Sequence, residues 1–456
     1  MGILSSIKHL GPLLIYVIGI LFFLRGMTGD GRWALLLVTL IIPLRNIVDK
    51  VQEFPLGSQF IDILIFGALI GSFIFCSKEK RQFMVPSILN PIIVILVLYT
   101  FFSLFLGSNY LHGTFSISFA DDRVKDWKNF CLMPLLFFIT LNHITDRAWI
   151  VRMLLGMLAA TVLMEYYTVS QIHEYSSLIS REKITGTFQF LGPNEVAAFF
   201  NEYTMFIMGI FFCLKQKKYK WPLLIIIYLN LFCIIFLYSR GSYLGALAGM
   251  AFLFLIKNKK LLIPLILVLC FWQSVLPEKA VQRIKGTTNE YGQLDESSER
   301  RLSIWKIGMD LFQKNPVTGI GYGVFRSLGL DLGDTHNIYV KILVEQGIIG
   351  MLIFLVIIFS FLRMGYVLYK KGEDDLGKGM GLGMMACVIT VIINNFFGDR
   401  WAYFELSAYF WIFAGLVARF IIMNKNSTSV GPPQVNTKAN SIAPGSPKKK
   451  LRYYDL

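Results

Sequence analysis

Continuous apolar runs, repeated along almost the whole chain, constrain the fold more than any other feature of the sequence. None of them alternates regularly with polar residues, so they indicate helical spans and not a transmembrane barrel. The runs cover residues 11–24, 33–44, 58–76, 85–107, 129–142, 149–170, 195–214, 221–238, 242–256, 261–276, 338–369, 379–397 and 402–423. A span takes about 20 apolar residues. Since the runs 33–44 and 129–142 are short, we expect twelve or thirteen spans.

The composition excludes the main soluble classes of protein. Of the 456 residues, 55% are apolar and 16% are charged, whereas soluble chains have about 45–50% apolar and about 25% charged residues. An ordinary soluble enzyme, a disordered scaffold and a peripherally attached protein are therefore excluded. The sequence predicts an all-α integral membrane protein that is embedded in the lipid bilayer.

Polar segments divide the chain into four parts. We predict a transmembrane block over 1–276, one large hydrophilic loop with short helices over 277–335, and further transmembrane helices over 336–423. Residues 424–456 are rich in Ser, Asn and Pro and end in a Lys cluster, which is typical of a disordered basic tail.

The net charge of +15 does not indicate a nucleic-acid partner, because the basic residues lie in loops between apolar runs. With the basic tail placed in the cytoplasm, 25 of the 44 Lys and Arg residues fall on the same side, as the positive-inside rule expects. The loop 277–335 instead holds eight basic and eight acidic residues. We therefore expect this loop to lie outside, and thirteen spans would place the amino terminus there too.

Ionisable residues near the spans share one side of the predicted membrane. A charge at mid-bilayer costs about 2.5–3.5 kcal/mol on insertion scales, so this bias favours an outward-facing polar crater. Its members are Glu165, Glu195, Glu202, Arg240, Lys341, Glu345, Asp399 and Arg400. The alternative is that each is simply interfacial, with Lys341 and Glu345 forming an i, i+4 pair.

His336 is the candidate general base. Asp334 or Thr335 can cap the helix that follows, which would place His336 and Asn337 in its first turn. A helix amino terminus disfavours imidazolium, so this histidine should be neutral and able to accept a proton. The alternative is a capped interfacial histidine without a catalytic role.

Two arginines are candidates for binding an anion beside that histidine. Arg240 lies between two spans and Arg301 begins an Arg-x-x-x-Trp pattern in the hydrophilic loop. Guanidinium groups can hold a diphosphate by paired hydrogen bonds and neutralise the charge that grows as it leaves. We assign Arg300 to solvent or a secondary phosphate contact, and Asn194 to a helix cap or a substrate contact. No His/Asp/Glu cluster has metal-ligand spacing, so neither a metal nor another cofactor is predicted.

Glycines mark two further segments. Gly319, Gly321 and Gly323 lack the preceding strand and the lysine-hydroxyl pair of a phosphate loop, which favours a turn between loop elements. Gly347 and Gly350 are expected to allow close helix contact.

Four segments within residues 186–415 carry a resemblance to a known family. They are His336-Asn337 followed after nine residues by Gly347-x-x-Gly350, the SRGSYLGALAG segment with Arg240, the Arg301–Trp305 segment with NPVTGIGYGVF, and TFQFLGPNEVAAFF. Together they resemble the O-antigen ligase and polymerase superfamily of bacterial membrane glycosyltransferases. The resemblance implies a GT-C-like protein of the bacterial inner membrane. It would move a glycan from an undecaprenyl diphosphate carrier to an acceptor hydroxyl on the periplasmic face, with inversion and without metal.

The resemblance also implies roles for the matching residues. Arg240 and Arg301 would bind the diphosphate, His336 would act as base, and Asn337 would orient the loop or the acceptor. The His-Asn spacing favours lipid A core as acceptor, which makes the enzyme a ligase. A second lipid-linked glycan would make it a polymerase, and a protein hydroxyl an O-oligosaccharyltransferase. A small-solute transporter is the alternative from another class; it would be expected to have an internal repeat and broken helices at mid-bilayer, and no repeat is visible in the sequence.

Overall fold

The computed structural model describes residues 2–115, 117–175, 177–178, 180–288, 293–329 and 334–429, without the side chains of 2–9 and 426–429. In these ranges the chain is mainly helical and contains no β-strand. The only β-type pairing among the described residues is a single antiparallel bridge between Thr288 and Leu294. The predicted all-α membrane class is thereby confirmed.

Eighteen α-helices follow one another along the described residues. The first nine are α1 (Gly2–Met27), α2 (Arg32–Ile41), α3 (Arg45–Val51), α4 (Phe60–Lys78), α5 (Leu89–Tyr110), α6 (Asp122–His143), α7 (Arg147–Glu174), α8 (Pro193–Cys213) and α9 (Lys217–Phe236). The others are α10 (Arg240–Lys257), α11 (Leu262–Cys270), α12 (Trp272–Val275), α13 (Glu278–Lys285), α14 (Glu296–Lys314), α15 (Val324–Ser327), α16 (Ile338–Lys371), α17 (Asp375–Asn394) and α18 (Phe404–Ser429). Short 3₁₀ turns cover Gly57–Gln59, Ser180–Lys183, Lys259–Leu261 and Arg400–Ala402.

Nine helices in the described part of the chain are long and apolar enough to cross a membrane, namely α1, α4, α5, α7, α8, α9, α16, α17 and α18. The prediction of twelve or thirteen spans also counted four segments outside this set. The run 33–44 forms only the ten-residue α2, and the run 261–276 breaks at Phe271 into α11 and α12. α6 and α10 are longer, but charged residues occupy the first turn of α6 and both ends of α10.

The helix ends form two groups at opposite ends of the bundle. We call one the tail end, because α18 ends there, and the other the loop end, because segment 277–335 lies there. Basic residues join elements at the tail end: Arg147 pairs with Asp374, Lys215 lies 3.4 Å from Asp375, and the ammonium of Lys257 lies 5.4 Å from the centre of the Tyr369 ring. The basic loops that the sequence assigned to one side therefore meet at one end of the structure.

α8 and α17 form the centre of the bundle, where they pack against each other and against α9, α10 and α16. Glycines allow this close approach, because a Cβ atom on Gly209 would lie 2.3 Å from the Cα of Gly383. α18 packs beside α6 and contributes the buried ring of Trp411 to the same core. A closely packed central layer thus supports the elements at the loop end.

The hydrophilic loop contains α13, α14 and α15, and α14 packs on the first part of α16. A small apolar cluster holds this contact, and it consists of Ile304, Ile320, Val324, Phe325 and Val344. α18 continues to Ser429, so the start of the predicted tail is helical, and the rest of that tail lies outside the described residues.

The sequence suggested that the glycine-rich segment 319–323 is only a turn between loop elements. In the structure, this segment also packs into a break in α16. α16 is interrupted at Gly347, whose φ of +64° is left-handed. At this break the carbonyls of Val344 and Glu345 accept hydrogen bonds from the backbone of Ile320 and Gly321, at 2.8 and 2.9 Å. Gly347 therefore receives a loop segment, and the expected helix–helix contact at this position is wrong: its Cβ atom would lie 2.2 Å from the carbonyl oxygen of Val317.

Candidate functional site

A cavity of about 1110 Å³ opens at the loop end between α9, α10, α11 and the hydrophilic loop. One part of its wall is polar and cationic, and the other is apolar. The cationic residues of the wall are Arg181, Arg240, Arg283, Arg300, Arg301 and Arg400, with His336 beside them. The acidic ones are Glu182, Glu296 and Asp334. The apolar wall includes Leu231, Ile234, Ile235, Leu244, Leu247, Met250, Val268, Leu269, Trp272 and Leu276.

His336 lies just before α16 and not in its first turn, which corrects the sequence-based expectation. Asn337 is the N-cap of this helix. His336 has a φ of +50°, a left-handed conformation that is uncommon outside glycine and persists only where the surroundings enforce it. Its side chain is exposed to the cavity and forms no hydrogen bond with another described residue. The imidazole nitrogens are therefore available to a ligand.

Asn337 has a structural position. Its side-chain oxygen accepts hydrogen bonds from the backbone of Tyr339 at 3.0 Å and Val340 at 3.3 Å. The residue is buried and does not line the cavity. This geometry is compatible with the predicted orientation of the loop and provides no contact with an acceptor.

Two interactions hold the backbone around His336. The indole nitrogen of Trp305 donates a hydrogen bond to the carbonyl of Thr335 at 2.9 Å. The ammonium group of Lys341 bridges Asp334, at 2.9 Å, and Asp399, at 3.1 Å. In place of the Lys341–Glu345 pair considered as an alternative, this bridge connects α16 with the segment before it and with the segment that follows α17. Because Trp305 lies one helical turn after Arg301, the same anchor brings Arg301 to the cavity.

The electrostatic surroundings favour neutral imidazole at His336. Desolvation by the surrounding protein and then the positive charge of Arg301 lower the pKa of His336 below its ordinary value of 6.5, while Asp334 acts in the opposite direction. The sequence-based expectation of a neutral histidine is consistent with this direction, although the cause differs from the helix terminus invoked there. Burial and the neighbouring charges of Arg400 and Arg240 likewise lower the pKa of Arg301.

The remaining predicted site residues also line the cavity. Arg240 donates to the Thr287 hydroxyl at 2.8 Å and forms an ion pair with Asp295 at 2.9 Å. Arg300 is exposed on α14, next to Arg301. Asn194 is not a helix cap, because Gly192 occupies that position at α8. The structure therefore brings Asn194, Arg240, Arg300, Arg301 and His336 to one cavity and leaves Asn337 behind its wall.

Sequence reasoning named three arginines of this cavity neither as catalytic nor as substrate-binding residues. Arg181 precedes α8, Arg283 lies on the short helix α13, and Arg400 follows α17. Arg400 was predicted only as a member of the outward-facing polar crater. For Arg283 the signal was available, because the apolar pair Ala280 and Val281, which is buried in the structure, stands among polar residues and marks an amphipathic turn. Arg181 lies in an irregular polar connection, where the sequence offers no comparable signal.

Most of the carboxylates predicted to form a polar crater are buried between helices instead. Glu165, Glu202, Glu345 and Asp399 are each less than 5% exposed, and none of them lines the cavity. Of the eight predicted members of the crater, only Arg240 and Arg400 do so. Within the described residues, no three His, Cys, Asp or Glu side chains are grouped so that they could hold a metal ion.

Comparison with known proteins agrees with the family resemblance. Residues 223–355 match the family model described as O-antigen ligase. The matched region includes most of α9, all of α10–α15 and the helix break at Gly347. It also includes His336 and the cavity arginines Arg240, Arg283, Arg300 and Arg301. No curated protein matches the chain. The match confirms the resemblance to the O-antigen ligase and polymerase superfamily.

Proposed function

We propose that this membrane glycosyltransferase of the O-antigen ligase or polymerase type transfers a glycan from an undecaprenyl diphosphate carrier to an acceptor hydroxyl. The observation that carries the proposal is the polarity of the cavity, in which a cationic region continues into an apolar groove. A polyprenyl diphosphate has the matching polarity, because its anionic headgroup is followed by a hydrocarbon tail. Guanidinium groups bind phosphate oxygens by paired, charge-assisted hydrogen bonds.

The proposed chemistry is a single displacement with inversion at the anomeric carbon. His336 accepts the proton of the acceptor hydroxyl, whose oxygen attacks the anomeric carbon on the face opposite the diphosphate. The bond between that carbon and the diphosphate oxygen breaks, and the lipid diphosphate leaves with the bonding electrons. Cavity guanidinium groups stabilise the charge that develops on it. Since they supply the charge neutralisation that a divalent cation can supply elsewhere, transfer should continue in the presence of a chelator.

The orientation of the enzyme follows from the charge at its two ends. Basic side chains such as Arg147, Lys215 and Lys257 meet at the tail end, and the positive-inside rule assigns such an end to the cytoplasm. The cavity then faces the periplasm of the inner membrane.

The acceptor we favour is lipid A core, with a lipid-linked glycan or a protein hydroxyl as alternatives. Purified enzyme would be given undecaprenyl diphosphate glycan together with lipid A core and a second lipid-linked glycan, and the products separated by mass. Glycan on lipid A core supports a ligase, and lengthened lipid-linked chains would identify a polymerase instead. If no glycan reaches any acceptor, the transferase proposal is wrong.

The helix break at Gly347 is the feature that a transporter would be expected to share, because transporters have broken helices. However, the carbonyls at the break are hydrogen-bonded to the loop backbone of Ile320 and Gly321, so the break does not line an open path. Flux of a small solute through proteoliposomes, without glycan transfer, would favour the transporter.

A further inference from the structure

Five of the six guanidinium groups of the cavity differ in the partners that they already have, and these partners divide the five groups into two functional sets. The division concerns Arg181, Arg240, Arg283, Arg301 and Arg400. A guanidinium group has five N–H donors in a fixed geometry. A group whose nitrogens are bonded to protein has few donors left for a ligand.

Arg181 is fully engaged by the protein. Its Nε donates to the carbonyl of Leu237 at 2.9 Å, and its two terminal nitrogens donate to Glu182 and Asn194, both at 2.7 Å. The side chain is 3% exposed. Arg181 therefore joins the connection before α8 to the end of α9.

Arg240 is similarly occupied, and its partners all belong to the hydrophilic loop. Nη1 donates to Thr287, while Nη2 donates to Asp295 at 2.9 Å and to Ser298 at 3.4 Å. Asp295 is also the N-cap of α14, since it accepts from the backbone of Ser298. Arg240 thus fastens the first turn of α14, the helix that carries Arg301, to the start of α10.

Arg283, Arg301 and Arg400 retain free donors. Nη1 of Arg400 donates to the carbonyl of Asn394 at 2.7 Å. The Nε atoms of Arg283 and Arg400, however, are buried and have no hydrogen-bond partner, and the carboxylate of Glu195 lies 3.9 Å from the Nε of Arg400. Arg301 makes neither a hydrogen bond nor an ion pair with another described residue. A buried donor without a partner is unfavourable. An anionic ligand in the cavity would satisfy all three groups.

We propose that Arg283, Arg301 and Arg400 hold the diphosphate headgroup, and that Arg240 is a positioning residue which acts through Asp295. This inference rests on the proposed function. It changes the role expected for Arg240 from a phosphate ligand to a connection between the membrane helices and the hydrophilic loop, and it adds Arg283 and Arg400 to the headgroup site.

Binding of undecaprenyl diphosphate without a glycan would test the assignment, measured by calorimetry on the purified full chain. We expect Arg283→Gln, Arg301→Gln and Arg400→Gln each to weaken binding about tenfold or more. The matched control is Arg326→Gln, which replaces an exposed arginine on α15 that does not line the cavity. This variant should bind as the parental protein does. Because Arg400 is almost fully buried, Arg400→Gln could lose binding through misfolding, so the thermal unfolding of this variant is compared with that of the parental protein. Arg283→Gln tests the same headgroup site at a less buried residue.

A double-mutant cycle of Arg240→Gln and Asp295→Asn tests the positioning role. If Arg240 acts through Asp295, the two single variants should lose affinity to a similar extent, and the double variant should lose little more. Each of the two single variants should also make α14 more sensitive to limited proteolysis. Tighter binding by Asp295→Asn, which releases the Arg240 guanidinium, would overturn the positioning role. Parental affinity in both Arg283→Gln and Arg400→Gln would overturn the headgroup assignment. A parental protein that does not bind the lipid diphosphate would instead contradict the proposed function.

Discussion

His336 combines three properties that a general base requires: an exposed imidazole, a surrounding that favours the neutral form, and a backbone held by neighbouring groups. The left-handed backbone of His336 is supported on one side by Trp305 and on the other by the Lys341 bridge. These contacts thus fix the position of the imidazole, and the charge of Arg301 helps to keep it neutral by lowering the pKa of His336.

The pH dependence of transfer should reflect the lowered pKa of His336. The neutral, proton-accepting form predominates above this pKa, so kcat/KM should be level near neutral pH and fall as the pH decreases. The midpoint of the acid limb should lie below 6.5, because kcat/KM reports the free enzyme. In Arg301→Gln, which removes a charge that lowers the pKa, the midpoint should move to higher pH. A parental midpoint above 6.5, or one that Arg301→Gln moves to lower pH, would contradict this interpretation.

At the scale of the element, the first part of α16 is held by contacts at both of its ends. Near its start, Lys341 bridges Asp334 and Asp399. Nine residues after Ile338 the helix breaks at Gly347, and the loop backbone around Val317 fills the gap. The segment that follows His336 is therefore a separately anchored unit.

Gly347→Ala should detach this unit from the loop. A Cβ atom would add left-handed backbone strain and a contact of 2.2 Å with the carbonyl oxygen of Val317, and such strain costs about 1–3 kcal/mol. The control is Gly329→Ala, which has a similar φ of +62° and no atom within 4 Å of the added Cβ. Thermal unfolding in detergent should show the larger decrease in midpoint for Gly347→Ala. Equal decreases would show that the loop contact is unimportant.

Lys341→Met should destabilise the start of α16. Removal of the ammonium group leaves Asp399, which is 1% exposed, buried without its cation. Breaking a buried pair in this way costs about 3–5 kcal/mol. The control is Lys371→Met, which replaces an exposed lysine near the other end of the same helix and should have little effect on the unfolding midpoint. The loss in Lys341→Met should be smaller at acidic pH, where the carboxylates can be protonated, and a pH-independent loss would contradict the ion-pair explanation.

The elements were predictable to very different degrees. Continuous apolar runs were enough to place helices such as α7 and α16, because a polar backbone in lipid must bond to itself. The role of segment 316–321 was not predictable, since its partners at Val344 and Glu345 are fixed by a helix break that the residue pattern does not reveal. The N-cap of α16 was misplaced because Asp334, Thr335 and Asn337 are all competent caps.

At the scale of the whole molecule, the site depends on segments that are distant in the sequence. His336, Arg301 and Arg240 could be grouped from their motifs, and the structure brings all three to one cavity. Arg181 and Arg400 join them only because α8 and α17 pack against each other and against α10. Tertiary contacts of this kind leave no periodicity in a single sequence, so Arg181 could not be assigned in advance. Arg400 could be assigned to a polar crater but not to its neighbours in the cavity.

The orientation of the molecule predicts which end an impermeant reagent reaches. Single cysteines would be introduced at the exposed residues Lys314, at the loop end, and Lys218, at the tail end. In cells with a permeable outer membrane, Lys314→Cys should react with an impermeant maleimide, and Lys218→Cys should react only after lysis. Labelling of the parental chain, whose Cys270 is exposed, provides the background. The opposite pattern would place the cavity in the cytoplasm.

The central claim is that His336 performs the proton transfer while cationic side chains hold the lipid diphosphate. The most direct measurement compares the parental enzyme with His336→Ala for both binding of undecaprenyl diphosphate and glycan transfer. The proposed chemistry predicts unchanged binding and a transfer rate that falls by about 10²–10⁴. Transfer by His336→Ala at the parental rate would contradict it.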